Sequence, residues 1–266
     1  MASPEIILVT GANTGLGFQI IRALYGSNKT YNILLGGRSI DKAKQAVTAA
    51  TQEFPSSPSK ISAIQVDIED DKSIETAFKE VQSQYGRLDV LLNNAGAQLD
   101  QQYEAGKLSM REMWNQSWNI NTVGTQVITS TFVPLLLQSN NPRLLFITSG
   151  TSTLAGADNQ ALFVNRSPPK GWPKSSMQGV PAYRSSKTGM NMMMREWFRL
   201  LKDDGVKVWC ISPGYLATGL GGSQEVNKSA GAGDPSVAGQ FVKDVVEGKR
   251  DGDVGKVILR DTVQAW

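Results

Sequence analysis

The stretch from Glu5 to Tyr25, EIILVTGANTGLGFQIIRALY, joins a short apolar run, a glycine-rich turn and an apolar amphipathic segment. The first run predicts a buried strand, and the segment after Gly15 predicts a helix. Six similar apolar runs follow between amphipathic segments: YNILLGG, ISAIQVD, LDVLLNNAG, PRLLFITSG, VKVWCISPG and GKVILRD. Apolar strands that alternate with helices predict a doubly wound α/β fold, with about seven parallel strands and helices on both faces.

The helices are expected to begin where a capping or turn residue precedes each amphipathic segment, near Gly15, Asp41, Asp71, Ser109, Pro181 and Asp234. No linker divides the chain, so we expect one domain over residues 1–266. Residues 150–180, rich in Gly, Ser and Pro, and the glycine-rich residues 219–233 interrupt the alternation. Long segments of this kind are either functional lids or disordered, and the sequence leaves both open.

Composition restricts the chemistry that this chain can perform. It has no histidine, which excludes Ser-His-Asp hydrolysis, Cys-His catalysis and histidine-ligated zinc. We expect no metal site. The single cysteine, Cys210, lies in an apolar run and is expected to be an inert core thiol. Proton transfer near neutral pH therefore falls to Tyr, Lys, Cys or a carboxylate.

Charge and hydropathy indicate the kind of partner. The 27 basic and 24 acidic residues are spread along the chain and form no basic stripe, so we expect a small-molecule partner and no nucleic acid. The first residues lack the pattern of a signal peptide. No apolar run approaches the roughly 18 residues of a membrane span. We therefore expect a cytoplasmic protein without a membrane partner.

The glycine turn after the first strand is typical of a phosphate site. Gly11, Gly15 and Gly17 allow a tight turn and close backbone approach, and a helix N-terminus offers free N–H groups to a pyrophosphate. The spacing is G-x-x-x-G-x-G and differs from the G-x-G-x-x-G dinucleotide fingerprint. A merely tight strand-to-helix turn is the alternative.

The end of the second strand indicates which dinucleotide binds. An NAD site places an acidic residue there, whereas this chain has Gly37 followed by Arg38 and Ser39. A guanidinium pairs with a 2′-phosphate, and a serine hydroxyl adds a hydrogen bond. The sequence therefore predicts NADP(H), with a solvated surface arginine as the alternative.

The spacing Tyr-x-x-x-Lys occurs three times, beginning at Tyr25, Tyr103 and Tyr183. Glycines interrupt the first two matches, and glycine disfavours a rigid helical face there. The third leads into a long run in which Tyr183, Lys187 and later apolar residues recur at helical spacing. An amphipathic helix with a tyrosine in its apolar stripe is the alternative reading of this match.

Six motifs in order resemble those of the short-chain dehydrogenase/reductase family: TGANTGLG, NNAG at 93–96, NINTVG at 119–124, ITSG at 147–150, YRSSK at 183–187 and SPGYLAT at 212–218. The resemblance covers essentially the whole chain. It implies a catalytic tetrad of Asn121, Ser149, Tyr183 and Lys187. One departure is Thr148, which replaces the first of the family's paired serines and leaves Ser149 as the catalytic candidate.

The same resemblance implies a set of cofactor-binding residues. Among them, Asp67 would reach the adenine, Asn94 to Gly96 would line the adenine side and buttress the sheet, and Thr218 would hold the carboxamide. The full set is Gly11, Asn13, Thr14, Gly15, Leu16, Gly17, Arg38, Ser39, Asp67, Ile68, Asn94, Ala95, Gly96, Tyr183, Lys187, Pro213, Gly214 and Thr218.

Within the family, the chain is most similar to the monomeric carbonyl reductases. Tyr183 follows Ser149 by 34 positions, a much longer separation than is usual, and the chain shares KGWPKSS before the tyrosine and a closing VQAW. The insertion at 150–180 would cover the face that relatives use for assembly, so we expect a monomer.

The expected activity is NADPH-dependent reduction of a ketone, aldehyde or quinone. Tyr183 would donate the proton with its pKa lowered by Lys187, Ser149 would polarise the carbonyl, and Asn121 would hold a water that links Lys187 to solvent. An NADP-binding redox sensor and a non-redox isomerase or dehydratase on the same fold are the alternatives.

The carbonyl or alcohol substrate is expected beneath residues 215–233 and beside the insertion. Apolar and aromatic side chains are available there, namely Phe163, Trp172, Met177 and Tyr215. Packing of the loops against themselves is the alternative role for these side chains.

Overall fold

The chain folds around one sheet of parallel strands. A computed structural model describes residues 3–174 and 179–266. Within these residues the sheet has seven strands in the order β3-β2-β1-β4-β5-β6-β7. The strands are β1 Glu5–Val9, β2 Tyr31–Gly37, β3 Lys60–Gln65, β4 Val90–Asn93, β5 Arg143–Ile147, β6 Lys207–Ile211 and β7 Val257–Ile258. The predicted doubly wound parallel sheet is confirmed, and each strand lies in one of the seven predicted runs, except that β3 begins one residue earlier, at Lys60.

The nine helices in the described residues are α1 Gly15–Tyr25, α2 Ile40–Glu53, α3 Asp71–Tyr85, α4 Asp100–Glu104, α5 Met110–Trp118, α6 Thr125–Leu136, α7 Pro181–Leu201, α8 Gln224–Ser229 and α9 Pro235–Val246. Six of them begin close to the predicted positions, and α4, α6 and α8 begin where no start was predicted. The short helix α8 lies inside the glycine-rich segment 219–233, for which the sequence left both a functional lid and disorder open. Helix α8 begins directly after a capping residue, Ser223, whose hydroxyl accepts a hydrogen bond from the Val226 N–H.

Two apolar layers cover the two faces of the sheet. On one face, Phe132 of α6 and Met190 of α7 pack with Phe146 of β5. On the other face, Ile20 of α1 and Phe241 of α9 pack with Trp209 of β6. The layers exist because successive residues of a buried strand point to opposite faces, so every strand contributes to both cores.

The longest described helix is α7, with 21 residues. Neither α7 nor any other helix in residues 3–174 and 179–266 is both long and apolar enough to cross a membrane. Over the same residues, no group of three or more His, Cys, Asp and Glu side chains is placed to hold a metal ion.

The helices α1 and α9 approach each other closely at Gly239. A Cβ atom added there would lie 2.6 Å from the carbonyl oxygen of Gln19, a backbone atom of α1. A side chain on Gly239 would therefore push the two helices apart.

Replacing Gly239 by Ala is expected to lower the free energy of unfolding by about 1–2 kcal/mol. Overpacking costs about 1–3 kcal/mol, and the higher helix propensity of alanine offsets up to about 1 kcal/mol of it. Urea denaturation of the cofactor-free protein measures the change. The matched control is Gly252→Ala, where an added Cβ has no neighbour within 4 Å, and it should stay within about 0.5 kcal/mol of wild type. Equal stability of both variants would contradict the tight packing of α1 on α9.

Candidate active site

The turn between β1 and α1 is a tight cradle of backbone. Gly11 has φ of 60°, and a Cβ there would lie 2.9 Å from the Cα of Ala95. A Cβ on Gly17 would lie 2.5 Å from the Gly11 carbonyl oxygen. At the start of α1 the side chain of Thr14 makes no capping hydrogen bond, and the first turn has no acidic residue. The N–H groups of this turn are therefore open to an anion, which fits the predicted pyrophosphate.

The segment after β4 holds this turn in place. The Asn94 side chain donates hydrogen bonds to the carbonyl oxygens of Thr10 (2.9 Å) and Gly11 (3.0 Å). In return, the Thr10 hydroxyl accepts from the backbone N–H groups of Asn94 and Ala95, both at 3.0 Å. Asn94 thus buttresses the glycine turn. Contact of Asn94 to Gly96 with an adenine stays a prediction.

The end of β2 has the features expected of a 2′-phosphate site. Gly37 is the last residue of the strand, and a Cβ there would lie 3.2 Å from Oδ1 of Asn13. Arg38 is exposed, and its guanidinium has no carboxylate partner within the described part of the chain. The Ser39 hydroxyl caps α2 by accepting from the Lys42 N–H, a bond that leaves its own hydrogen available to donate.

The remaining predicted cofactor residues lie at the same carboxyl edge of the sheet. They are Leu16 in the first turn of α1, Asp67 and Ile68 after β3, and Pro213, Gly214 and Thr218 after β6. Thr218 lies beside the glycine turn, because a Cβ on Gly15 would be 3.6 Å from the Cβ of Thr218. This neighbour relation brings the loop after β6 to the start of α1.

The first turns of α7 carry Tyr183 and Lys187. The Lys187 side chain is 3% exposed, and its ammonium donates a hydrogen bond of 2.8 Å to the carbonyl oxygen of Ile147. It lies 5.9 Å from the centre of the Tyr183 ring. A Cβ on Gly96 would approach the ammonium to 3.2 Å, so the glycine leaves room for it. The other two Tyr-x-x-x-Lys matches lie elsewhere: Tyr25 ends α1, and Tyr103 lies in the five-residue helix α4.

Burial dominates the ionisation of this pair. It lowers the pKa of Lys187 to about 8. It also raises the pKa of Tyr183 to about 12, although a hydrogen bond with Ser149 acts in the opposite direction. The expected lowering of the tyrosine pKa is therefore wrong for the cofactor-free protein. The reason is that desolvation of the phenolate outweighs its favourable contacts, while the lysine ammonium is held at the Ile147 carbonyl.

Ser149 lies at the end of β5, next to the tyrosine. Its hydroxyl is 2.9 Å from the Thr151 hydroxyl and accepts from the Thr151 N–H, which starts a short 3₁₀ turn. The preceding Thr148 is 2% exposed, and its hydroxyl donates to Oδ1 of Asn191 in the core. The half-exposed Ser149 is thus the available hydroxyl of the two.

Asn121 lies in a π-helical turn, Asn119–Gly124, that joins α5 to α6. Its fully buried side chain accepts from the Ala97 N–H and donates to the Ala97 carbonyl and the Ser186 hydroxyl, each at 2.9 Å. Both amide hydrogens are therefore already used. The side chain braces α7 against the segment after β4 and keeps one Oδ1 lone pair, so its role of holding a relay water stays a prediction.

The insertion at 150–180 is anchored to the tyrosine helix. The Arg184 guanidinium donates to the carbonyl oxygens of Thr151 and Val164 and to Oδ1 of Asn165. The exposed rings of Phe163, Trp172 and Tyr215 are available for contact, whereas Met177 lies outside the described residues. A substrate role for these side chains stays a prediction.

Sequence patterns missed two groups of contacts at this site. Gln264 donates to the carbonyl oxygen of Ser149 and accepts from the Ser212 hydroxyl, so the last residues tie the serine turn to the loop after β6. In the sequence, the closing VQAW indicates only a resemblance to the monomeric carbonyl reductases. Asp100 accepts hydrogen bonds from α7 across more than eighty positions of sequence. No local pattern indicates a contact over that separation.

Comparison with known proteins gives consistent matches. The family model described as short chain dehydrogenase matches residues 5–162 and 169–229. The short-chain dehydrogenase/reductase tropE of Talaromyces stipitatus is 46% identical over 262 residues, which cover 98% of this chain and 97% of that protein. The short-chain dehydrogenase/reductase eupG of a Phoma species is also 46% identical, over 276 residues that cover 100% of this chain and 99% of that one.

Among solved structures, an NADPH-bound carbonyl reductase from chicken fatty liver superposes with a TM-score of 0.78. The match covers 100% of both chains at 19% sequence identity. At that identity the likeness establishes the fold alone.

The buried lysine should make stability depend on pH. The ammonium of the folded protein loses its proton near pH 8, whereas a lysine in an unfolded chain does so near about pH 10.4. Between these values the unfolded chain binds more protons, so the free energy of unfolding gains a contribution that rises with pH. In Lys187→Met this contribution should be absent. Urea denaturation of the cofactor-free proteins at pH 7.5 and 10 measures it.

The control is Lys202→Met, which removes an exposed lysine just after the same helix and should keep the pH dependence of wild type. If Lys187→Met also kept it, the ammonium would have to be far better solvated than its burial indicates.

Proposed function

This chain belongs to the short-chain dehydrogenase family of oxidoreductases, and we propose that it is an NADPH-dependent reductase that transfers hydride to the carbonyl group of a small molecule. The observation that carries the proposal is the arrangement of Tyr183 and Lys187 on one face of α7 with Ser149 beside the tyrosine. A proton donor, a buried cation and a serine hydroxyl lie together at the carboxyl edge of the sheet, the edge that also carries the glycine turn.

The residues at the end of β2 support NADP(H) as the cofactor. Arg38 would pair with the 2′-phosphate, and the Ser39 hydroxyl would donate to it. Gly37 places no carboxylate there to repel the phosphate. The N–H groups at the start of α1 would receive the pyrophosphate. The NADPH bound to the chicken carbonyl reductase, which shares the fold, is consistent with this choice.

When bound, the reduced nicotinamide would supply the hydride for the carbonyl carbon. Negative charge then develops on the carbonyl oxygen, where the Ser149 hydroxyl donates a hydrogen bond and the Tyr183 hydroxyl donates the proton. A tyrosine pKa of about 12 suits this direction, because the phenol stays protonated at neutral pH. After the transfer, the nearby Lys187 ammonium stabilises the phenolate by its charge.

Two other functions make different demands on these residues. A redox sensor would bind NADP(H) without needing a proton donor at Tyr183. An isomerase or dehydratase would use the same pocket without net consumption of NADPH. Measurements of NADPH consumption therefore separate the reductase from the other two functions.

Tyr183→Phe tests the proposed proton donor directly. We expect wild type to bind NADPH and to consume it, followed at 340 nm, with at least one member of a panel of ketones, aldehydes and quinones. The variant should bind NADPH with a dissociation constant within about threefold of wild type and lose at least about 100-fold in kcat, the range attributed to general acid catalysis. Tight NADPH binding by wild type without turnover on any carbonyl would reject the reductase in favour of the sensor or the non-redox enzyme.

Arg38→Asp tests the cofactor assignment. Losing a charge-assisted hydrogen bond and adding a repelling carboxylate should weaken NADPH binding about 10- to 100-fold and leave NADH binding unchanged or stronger. Fluorescence titration with both nucleotides measures the change. Arg111→Asp, on the exposed surface of α5, makes the same change in net charge and should leave the preference intact. An unaltered preference in Arg38→Asp would exclude a 2′-phosphate contact at this position.

A further inference from the structure

A buried carboxylate lies against the N-terminus of the helix that carries the tyrosine. Asp100, the first residue of α4, is 3% exposed. One of its oxygens accepts a hydrogen bond of 3.0 Å from the backbone N–H of Ala182, and the other accepts one of 3.3 Å from the backbone N–H of Tyr183. The carboxylate therefore contacts the backbone of the proposed proton donor itself.

These two bonds complete the hydrogen bonding at the start of α7. The first helical residue, Pro181, has no N–H, and the N–H of Arg184 already bonds to the Val180 carbonyl at 3.0 Å. The N–H groups in between are the two that Asp100 accepts. The residue before the helix, Val180, has a left-handed φ of 48°, and its apolar side chain makes no cap. Asp100 thus takes the place of the local capping residue that most helices have.

The segment that carries Asp100 also holds the other side of the site. Three residues earlier, the backbone of Ala97 exchanges two hydrogen bonds with the Asn121 side chain, which in turn donates to the Ser186 hydroxyl on α7. Residues 97–100 therefore contact both the π-helical turn and the first turn of α7. A shift of this segment would move Tyr183 relative to both Asn121 and the glycine turn.

We propose that Asp100 is a positioning residue, which fixes the first turn of α7 and so holds the Tyr183 hydroxyl at the reacting carbonyl. The inference rests on the proposed reductase activity. It goes beyond that activity because it assigns a role to a residue outside the tetrad, carried by a different helix.

The ionised form of Asp100 is the one that performs this role. Burial raises the pKa of its carboxyl, and the bonds from Ala182 and Tyr183 act in the opposite direction by stabilising the carboxylate. A carboxylate offers an acceptor to each N–H, whereas an asparagine offers one acceptor and turns its NH₂ group toward the other N–H. Asp100→Asn therefore breaks one of the two bonds with almost no change in volume.

The test compares Asp100→Asn with Asp70→Asn, which makes the same change at a local helix cap that needs only one acceptor. Asp70 caps α3 by accepting from the Lys72 N–H at 3.0 Å. For each variant, kcat, KM for a carbonyl substrate and the NADPH dissociation constant are measured, together with the kinetic isotope effect of NADPH deuterated at the transferred position. Thermal denaturation reports stability in parallel.

We expect Asp100→Asn to lower kcat by about 10-fold or more, since a small misplacement of a reacting group can cost up to about 100-fold. Its KM and NADPH affinity should stay within about threefold of wild type. The isotope effect should rise as the chemical step becomes limiting. Asp70→Asn should keep kcat within about twofold of wild type, since α3 carries none of the tetrad.

Lower stability of Asp100→Asn with an unchanged kcat and isotope effect would overturn the proposal and leave Asp100 a structural cap only. If this variant does not fold, Asp100→Ser, which keeps one acceptor, carries the same expectations. Failure of both to fold, while Asp70→Asn folds, would assign Asp100 to folding and also overturn the proposal. Wild type without turnover would reject the reductase function and this inference with it, an outcome that the variants do not influence.

Discussion

The buried ammonium of Lys187 is the constraint around which the site is organised. Removing a charge from water is unfavourable, and the side chain is almost fully enclosed. One carbonyl, that of Ile147 at the end of β5, accepts from it, and the missing side chain of Gly96 leaves it space. Because Lys187 is held at the end of β5, the position of α7 on the sheet is fixed. The same constraint places Tyr183, which lies one turn earlier on α7.

The second organising feature is the way in which the free N–H groups at the helix starts find hydrogen-bond acceptors. Local side chains cap α2, α3, α5 and α9. By contrast, α7 is capped from a distance by Asp100, and the π-helical turn is braced from a distance by Ala97. The elements that carry the proposed chemistry thus depend on tertiary contacts, which makes their geometry sensitive to the segment between β4 and α5. At the start of α1 the side chain of Thr14 makes no capping hydrogen bond, and the N–H groups there are the ones proposed to bind phosphate.

The rim of the site is built from parts that lie far apart in the chain. Arg184 fastens the insertion to α7, Gln264 joins the serine turn to the loop after β6, and Asn227 of α8 donates to the carbonyl oxygens of Thr218 and Leu220. These contacts involve no residue of the seven described strands. Such an arrangement allows the rim to differ between relatives while the cradle and the tyrosine helix stay in place.

The sequence by itself determined the parallel sheet, the positions of its strands and most helix starts, because those features follow from local apolar periodicity, glycine turns and capping residues. It also singled out Tyr183 and Lys187, since helical spacing places them on one face. Only the tertiary structure decided how they ionise: burial depends on what packs around α7 and raises the pKa of the tyrosine where a neighbouring charge alone would lower it. The roles of Asp100 and Gln264 could not be predicted either, because hydrogen bonds between distant segments leave no periodic pattern in the sequence of either segment.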